Sequence, residues 1–217
     1  MTAMFDAVIF DMDGLLLDSE RYLMDAWLAA ARDYGMPLAA QDFMYTVGRN
    51  AAESREKLIE LLAGEANYLA VREQVFARLG PENERVFPLK PGAVELLTCL
   101  AERQVPCALA SSTHREEIRR RLAAVDVLRF FQAVAGSDET ARGKPDPAVY
   151  ELAAQRIRQA PARCLVFEDS ENGATAALRA GMTVVIVPDI REPQIEGALT
   201  ILPSLHAALP FLPRWFS

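Results

Sequence analysis

Two aspartates, Asp11 and Asp13, stand one residue apart at the end of the apolar segment 5–10, and Gly14 follows them. Two carboxylates at this spacing repel each other and resist removal from water. A bound cation offsets both costs, and the carboxyl end of a strand in an open α/β sheet is a common place for such a site. The pair therefore predicts a cation site at a strand end, with a plain turn or helix cap as the alternative.

Further polar side chains follow other segments that have strand character. They comprise a hydroxyl cluster, one lysine in the run Gly-Lys-Pro-Asp-Pro and a second acidic pair: Ser111, Ser112 and Thr113; Lys144; Glu168 and Asp169. If the strands are parallel, their carboxyl ends bring all of these side chains to one edge of the sheet. Carboxylates suit Mg²⁺, hydroxyls and N–H groups at a helix start suit phosphate, and lysine offsets the charge of both. The pattern predicts a Mg²⁺ and phosphate site, although each cluster alone could be a helix cap or a solvated loop.

The segments that would position these residues alternate between strand and helix from residue 89 onward. Strands are predicted at 105–110, 131–135, 164–167 and 183–187, with an edge strand at 199–202, and helices at 93–101, 115–123, 172–180 and 204–209. Asp146 and Pro147 are predicted to open another helix as its N-cap and first residue. This alternation predicts an α/β fold, a Rossmann-like parallel sheet with helices on both faces.

Residues 19–88 have a different character, because they show helical periodicity and no evident strand pattern. Tyr22 and Trp27 lie on one face of the first predicted helix and are assigned to the core of this unit. We therefore expect a small all-α cap domain, 19–88, inserted after the first strand. The α/β core domain would then consist of residues 1–18 and 89–217.

Composition narrows the class of protein. The chain has 217 residues, 51% of them hydrophobic, and a formal net charge of −7, so nucleic acid and anionic membrane surfaces are not expected as partners. Apolar runs are too short to span a bilayer, and the N-terminus does not resemble a signal peptide. The widely spaced Cys99, Cys107 and Cys164 indicate reduced core cysteines. We expect a cytoplasmic protein, with a monomer slightly preferred.

Taken together, four motifs in order resemble those of the haloacid dehalogenase superfamily of phosphohydrolases. They are Asp11 to Gly14, Ser111, Lys144 before a proline, and Glu168 with Asp169. The chain is similar to the subgroup of β-phosphoglucomutase and sugar-phosphate phosphatases, in which a helical cap follows the first motif. The resemblance covers nearly the whole chain.

The resemblance implies a role for each motif residue. Asp11 would be the nucleophile that forms an aspartyl-phosphate, and Asp13 would be the general acid and base. The metal, Mg²⁺, would be held by Asp11, the backbone carbonyl of Asp13, Asp169 and Glu168. The phosphoryl group would be bound by Ser111 and the following N–H, that of Ser112, with Lys144 offsetting its charge.

Other polar residues remain ambiguous at the sequence level. Related enzymes place an arginine on the substrate near the position of Arg49, but a plain turn with an N-cap explains Gly48-Arg49-Asn50 equally well. His114 is either a substrate contact or a bystander. The arginines between 115 and 121 are interleaved with glutamates, which favours a solvated helix face. Trp215 and Phe216 would pack on the sheet or on a partner.

The leading hypothesis is a Mg²⁺-dependent phosphatase acting on a small phosphorylated metabolite, which the resemblance implies is a sugar phosphate. A β-phosphoglucomutase-type reaction is the first alternative, but Leu23 stands where related mutases often carry a histidine. A 2-haloacid dehalogenase would need neither Asp13 nor the second acidic pair. A non-enzymatic phospho-acceptor would need neither Asp13 nor a seventy-residue cap.

Overall fold

The computed structural model describes residues 4–46, 51–81 and 84–216. Its centre is a six-stranded sheet in the order β3-β2-β1-β4-β5-β6, with every neighbouring pair parallel. The strands are β1 Ala7–Phe10, β2 Cys107–Ala110, β3 Ala133–Ala135, β4 Cys164–Glu168, β5 Thr183–Ile186 and β6 Thr200–Ile201. The predicted α/β fold is confirmed, including the short edge strand near residue 200.

Alternating side chains of the central strands enter two separate apolar cores, one on each face of the sheet. Phe10 and Phe167 stack at 5.3 Å on one face, whereas Ile9 and Val166 belong to the opposite core. All of these side chains are fully buried, as a parallel sheet covered on both faces requires. The sheet is therefore a rigid platform for whatever follows the strand ends.

Helices cover both faces of this sheet. They are α5 Ala93–Glu102, α6 Arg115–Ala124, α7 Ala148–Arg156, α8 Glu171–Arg179 and the short α9 Leu212–Trp215, which follows a 3₁₀ segment over Leu205–Phe211. The predicted start of α7 is wrong by one residue, because Pro147 precedes the helix and Asp146 accepts a hydrogen bond from the Ala148 N–H at 3.1 Å.

The C-terminal aromatic pair packs on the sheet. Trp215 and Phe216 are both buried, Trp215 meets the Phe167 ring edge-on at 6.2 Å, and the Trp215 carbonyl accepts hydrogen bonds from the N–H groups of Met4 and Phe5. The two ends of the described chain are thereby joined beside β1.

Between β1 and α5, the described residues form four helices with their own apolar core. They are α1 Ser19–Asp33, α2 Ala40–Phe43, α3 Ala51–Leu61 and α4 Glu65–Leu79. Trp27 stacks on Tyr68 at 5.6 Å in this core, as predicted for Trp27. The prediction for Tyr22 is wrong, since that side chain is exposed. It lies five residues before Trp27, which turns it away from the narrow face that packs on α4.

Within the described residues, no helix is long and apolar enough to cross a membrane.

Candidate active site

The carboxyl ends of the parallel strands bring the predicted motif residues together. Phe10 pairs with Leu109 on one side and with Phe167 on the other, so Asp11 follows β1 directly beside the end of β4, where Glu168 lies. Ser111 follows β2 and its N–H donates to the Ala135 carbonyl at 3.1 Å. Asp11, Ser111, Lys144 and Asp169 line one cavity.

A buried lysine joins two of these carboxylates. The Lys144 Nζ donates to Asp11 Oδ1 at 2.6 Å and to Glu168 Oε1 at 2.7 Å, and its side chain is only 4% exposed. Tyr150, from the first turn of α7, donates its hydroxyl to Glu168 Oε1 at 2.9 Å and accepts from Lys144 at 3.1 Å. Sequence reasoning missed Tyr150, because a tyrosine on a helix face carries no signal beyond ordinary core packing.

The pKa values of Asp11 and Glu168 shift in opposite directions, although Lys144 contacts both. Burial raises the pKa of Asp11 to about 8, with the charge of Glu168 adding to the effect and Lys144 opposing it. For Glu168, burial is outweighed by the charge and hydrogen bond of Lys144, and its pKa falls below the usual value. Burial is likewise outweighed for Lys144, whose pKa the charges of Asp11 and Glu168 raise well above normal. Lys144 and Glu168 therefore form an ionised pair. A negative charge on Asp11 would be only partly compensated by Lys144.

Three buried carboxylates form a group that fits a divalent cation. Oxygens of Asp11, Glu168 and Asp169 lie within 4.8 Å of one another. Burial and the charges of Glu168, Glu20 and Asp11 raise the pKa of Asp169 well above normal, so negative charge is in excess here. Hard oxygens in this number suit Mg²⁺.

Glu168 differs from the other two acids in this group. Its Oε1 accepts from Lys144 and Tyr150, and its Oε2 accepts from the N–H groups of Asp169 and Ser170, both at 2.8 Å. The hydrogen bond described for Asp169 involves its N–H and not its carboxylate. Asp11 and Asp169 thus keep oxygens available for a cation, whereas both oxygens of Glu168 are already hydrogen-bonded.

The turn after Asp13 requires glycine. Gly14 has a φ of +83°, which disfavours any side chain, and a Cβ there would lie 2.4 Å from Asp169 Oδ2. The close approach of this turn to Asp169 explains why a glycine follows the aspartate pair.

The carboxylate of Asp13 lies apart from this acidic group. Its Oδ1 accepts from Ser19 Oγ at 2.6 Å and from Arg121 Nη1 at 2.9 Å, and its Oδ2 accepts from Thr113 Oγ1 at 2.8 Å. The interpretation of Arg121 as part of a solvated face is wrong, because its side chain is 15% exposed and turned into the cavity. The helical spacing of His114, Glu117 and Arg121, which all line the cavity, was the available signal.

The cavity has a volume of about 610 Å³ and lies between the strand ends and the helical unit. Ser112 and His114 line it from the sheet side, and Leu23 lines it from α1. Aromatic and aliphatic side chains of the helical unit also line it: Trp27, Phe43, Leu58 and Tyr68. Arg49 lies outside the described residues.

Comparisons with known proteins agree with this geometry. Residues 5–181 match the family model of the haloacid dehalogenase-like hydrolases. A phosphorylated carbohydrates phosphatase of Thermotoga maritima is 35% identical over 181 residues, covering 82% of each chain. A β-phosphoglucomutase of Bacillus subtilis is 32% identical, over 82% of this chain and 81% of that one.

A solved structure extends the likeness to the fold. The hydrolase of the same family from Deinococcus radiodurans, crystallised with bound phosphate and sodium, superimposes with a TM-score of 0.78 at 28% identity. The match covers 98% of this chain and 96% of that chain.

Proposed function

Because this chain belongs to the haloacid dehalogenase-like hydrolases and is a phosphoric monoester hydrolase, we propose that it is a Mg²⁺-dependent phosphatase of small phosphorylated sugars. One observation carries the proposal: Asp11, buried at a strand end, keeps one oxygen on Lys144 and lies within a carboxylate group that needs a cation. The phosphorylated carbohydrates phosphatase among the relatives supports the substrate class.

We assign the chemistry to two aspartates. Asp11 attacks phosphorus, so a bond forms between its carboxylate oxygen and phosphorus while the bond to the leaving oxygen breaks. Asp13 gives a proton to that oxygen, then takes one from the water that hydrolyses the aspartyl-phosphate and releases inorganic phosphate. The separate placement of the two carboxylates, one on Lys144 and one on Arg121, supports this division of roles.

The remaining site residues bind and orient. Asp11 and Asp169 would hold Mg²⁺, with Glu168 beside them keeping Lys144 in place. Bound Mg²⁺ would neutralise charge on the phosphoryl oxygens. Ser111, the Ser112 N–H and Lys144 would hold those oxygens. Residues 19–88 would act as the cap domain over the core formed by 1–18 and 89–217, and would limit the size of the leaving group.

The decisive experiment compares wild type with Asp11→Asn. Wild type with Mg²⁺ should release phosphate from p-nitrophenyl phosphate and from members of a sugar-phosphate panel, and EDTA should stop the reaction. Asp11→Asn should reduce turnover below detection, because the amide cannot act as the nucleophile. Retained turnover in this variant, or indifference to EDTA, would overturn the mechanism or the metal respectively.

A mutase reaction is the second candidate, because a β-phosphoglucomutase is among the relatives. Leu23, an apolar side chain, faces the cavity at the position discussed above, which favours hydrolysis. Interconversion of β-glucose 1-phosphate and glucose 6-phosphate without phosphate release would establish the mutase instead.

A further inference from the structure

We propose that Arg121 is a positioning residue that orients Asp13 for proton transfer. This inference rests on the proposed function, in which Asp13 is the acid and base. Arg121 Nη1 donates to Asp13 Oδ1 at 2.9 Å across 108 residues of sequence, from α6 to the turn after β1. The contact is partly buried, with the Arg121 side chain 15% and the Asp13 side chain 25% exposed.

Three donors together hold the Asp13 carboxylate. Ser19 and Arg121 share Oδ1, and Thr113 donates to Oδ2 at 2.8 Å. A carboxylate held at both oxygens cannot rotate freely about its Cβ–Cγ bond. The hydroxyls of Ser19 and Thr113 are on short side chains and lie close to the backbone. The guanidinium of Arg121 adds a charge-assisted hydrogen bond from a separate helix. Replacing Arg121 should therefore make the Asp13 carboxylate more mobile, while the hydrogen bonds from Ser19 and Thr113 remain.

Arg121 is itself anchored on two further sides. Its Nε donates to Glu117 Oε1 at 2.7 Å, and its guanidinium lies 5.2 Å from the centre of the Phe87 ring. Burial raises the pKa of Glu117, but the hydrogen bonds from Arg120 and Arg121 outweigh it and hold that pKa below normal. Glu117 is thus an ionised anchor that points the Nη1 group of Arg121 at Asp13.

A direct role in binding the phosphoryl group is the competing explanation. Both hydrogen-bonded nitrogens of Arg121 point to protein carboxylates, to Asp13 and to Glu117. Lys144 already donates a hydrogen bond to Asp11, the carboxylate that would attack phosphorus. The geometry therefore points to an action through Asp13, and an experiment can separate the two roles.

The first measurement compares leaving groups of nearly equal size, in p-nitrophenyl phosphate and phenyl phosphate. Phenolate is the more basic leaving group, so its release depends more on a proton from Asp13. The value of kcat/KM covers the steps up to that release. Arg121→Met should lower kcat/KM for phenyl phosphate at least about tenfold more than for p-nitrophenyl phosphate, and Asp13→Asn should show the same bias.

The second measurement is a double-variant cycle. If Arg121 acts through Asp13, Asp13→Asn with Arg121→Met should be no slower than Asp13→Asn alone. Inhibition by inorganic phosphate should be unchanged within about twofold in Arg121→Met, since the groups that would bind phosphate, Ser111, the Ser112 N–H and Lys144, are unchanged. Arg121→Lys should recover part of the loss, because it keeps the positive charge. The recovery should be incomplete, because lysine lacks the two-pronged donor of arginine.

Arg119, an exposed residue of the same helix, supplies the control. Arg119→Met should match wild type on both esters. Equal losses on the two esters in Arg121→Met, additive losses in the double variant, or weakened phosphate inhibition would each overturn the positioning role. If wild type with Mg²⁺ released phosphate from neither ester, the proposed function itself would fail, and this inference with it.

Discussion

At the residue scale, one buried ammonium serves two carboxylates. Lys144 donates hydrogen bonds to both Asp11 and Glu168, but Glu168 also accepts hydrogen bonds from the Tyr150 hydroxyl and from two backbone N–H groups. Glu168 therefore holds its negative charge more easily, and the pKa of Asp11 rises to about 8. Asp11, the proposed nucleophile, needs a second positive charge to be ionised at neutral pH, and a cation on Asp11 and Asp169 would provide it.

Magnesium binding should consequently depend on pH through Asp11. The raised pKa means that the folded, metal-free protein keeps a proton on Asp11 between the ordinary value of 3.8 and about 8, where the unfolded chain has lost it. This group thus favours the metal-free fold at low pH and progressively less as pH rises through that window. Mg²⁺, which competes with the proton, should raise the melting temperature more at about pH 8 than at about pH 6.

Thermal denaturation with and without Mg²⁺ at the two pH values measures this effect. Asp11→Asn, which carries no titratable proton, should show a smaller Mg²⁺ shift and a weaker dependence of that shift on pH. An equal shift at both pH values in wild type would contradict the assignment of Asp11 as a ligand.

Tyr150 should stabilise the lysine–glutamate pair. Tyr150→Phe removes a hydroxyl that gives one hydrogen bond to Glu168 and takes one from Lys144 in a fully buried place. We expect a loss of about 1–3 kcal/mol in the free energy of unfolding, measured by urea denaturation. Tyr34→Phe, at an exposed tyrosine, is the matched control and should change little. Equal stability of the two variants would contradict the role of the hydroxyl.

At the element scale, the start of α8 fits closely around Glu168. Ser170 caps the helix by accepting from the Gly173 N–H at 3.1 Å, and it also donates its hydroxyl to Glu168 Oε2 at 3.0 Å. A Cβ on Gly173 would lie 1.5 Å from Glu168 Oε1. The glycine therefore makes room for the carboxylate that holds Lys144.

Gly173→Ala should reverse the usual benefit of alanine in a helix. The added methyl group must displace Glu168, so we expect a loss of about 1–3 kcal/mol in unfolding free energy together with strongly reduced turnover. Gly143→Ala is the control, because a Cβ there meets nothing within 4 Å and its φ is not positive. An active, stable Gly173→Ala variant would contradict the close fit.

At the scale of the whole molecule, an ion cluster joins the helical unit to the sheet. Asp189, after β5, has a side chain only 1% exposed and forms ion pairs with Lys90, in the segment before α5, and with Arg21 of α1. Its Oδ1 accepts from both, whereas its Oδ2 is buried without a hydrogen-bond partner among the described residues. We expect the cluster to stabilise the junction where the chain returns from the helices to the sheet.

Lys90→Met should be costly for this reason. It leaves the buried Asp189 carboxylate with Arg21 alone, and we expect a loss of about 3 kcal/mol in unfolding free energy. Adding Asp189→Asn should restore part of that loss, since it removes the uncompensated charge. Arg142→Met, at an exposed arginine, should be close to neutral in the same urea titration. A neutral Lys90→Met variant would show that the cluster does not stabilise the junction.

Local sequence patterns were enough to predict the parallel sheet and the helical character of the segment between β1 and α5. Strand and helix periodicities are properties of short segments, and the order of motifs on strand ends follows from parallel pairing. Predictions failed where a neighbour in space decides the outcome. Tyr22 shares a helix with Trp27 but is exposed, because it is turned away from the face that packs on α4, and Arg121 looks solvated in sequence yet pairs with Asp13.

The sequence by itself therefore determined which chemical groups follow the strands, at their ends or in the next loop: Asp11, Ser111, Lys144 and Asp169. Only the tertiary structure decided their partners. It placed Tyr150 on Glu168, Arg121 on Asp13 and Gly173 against Glu168, because these contacts depend on how helices are rotated and packed against the sheet. Separate elements meet there with no signal in the local pattern, so the different hydrogen-bond partners of Asp11 and Asp13 become visible only when the chain is folded.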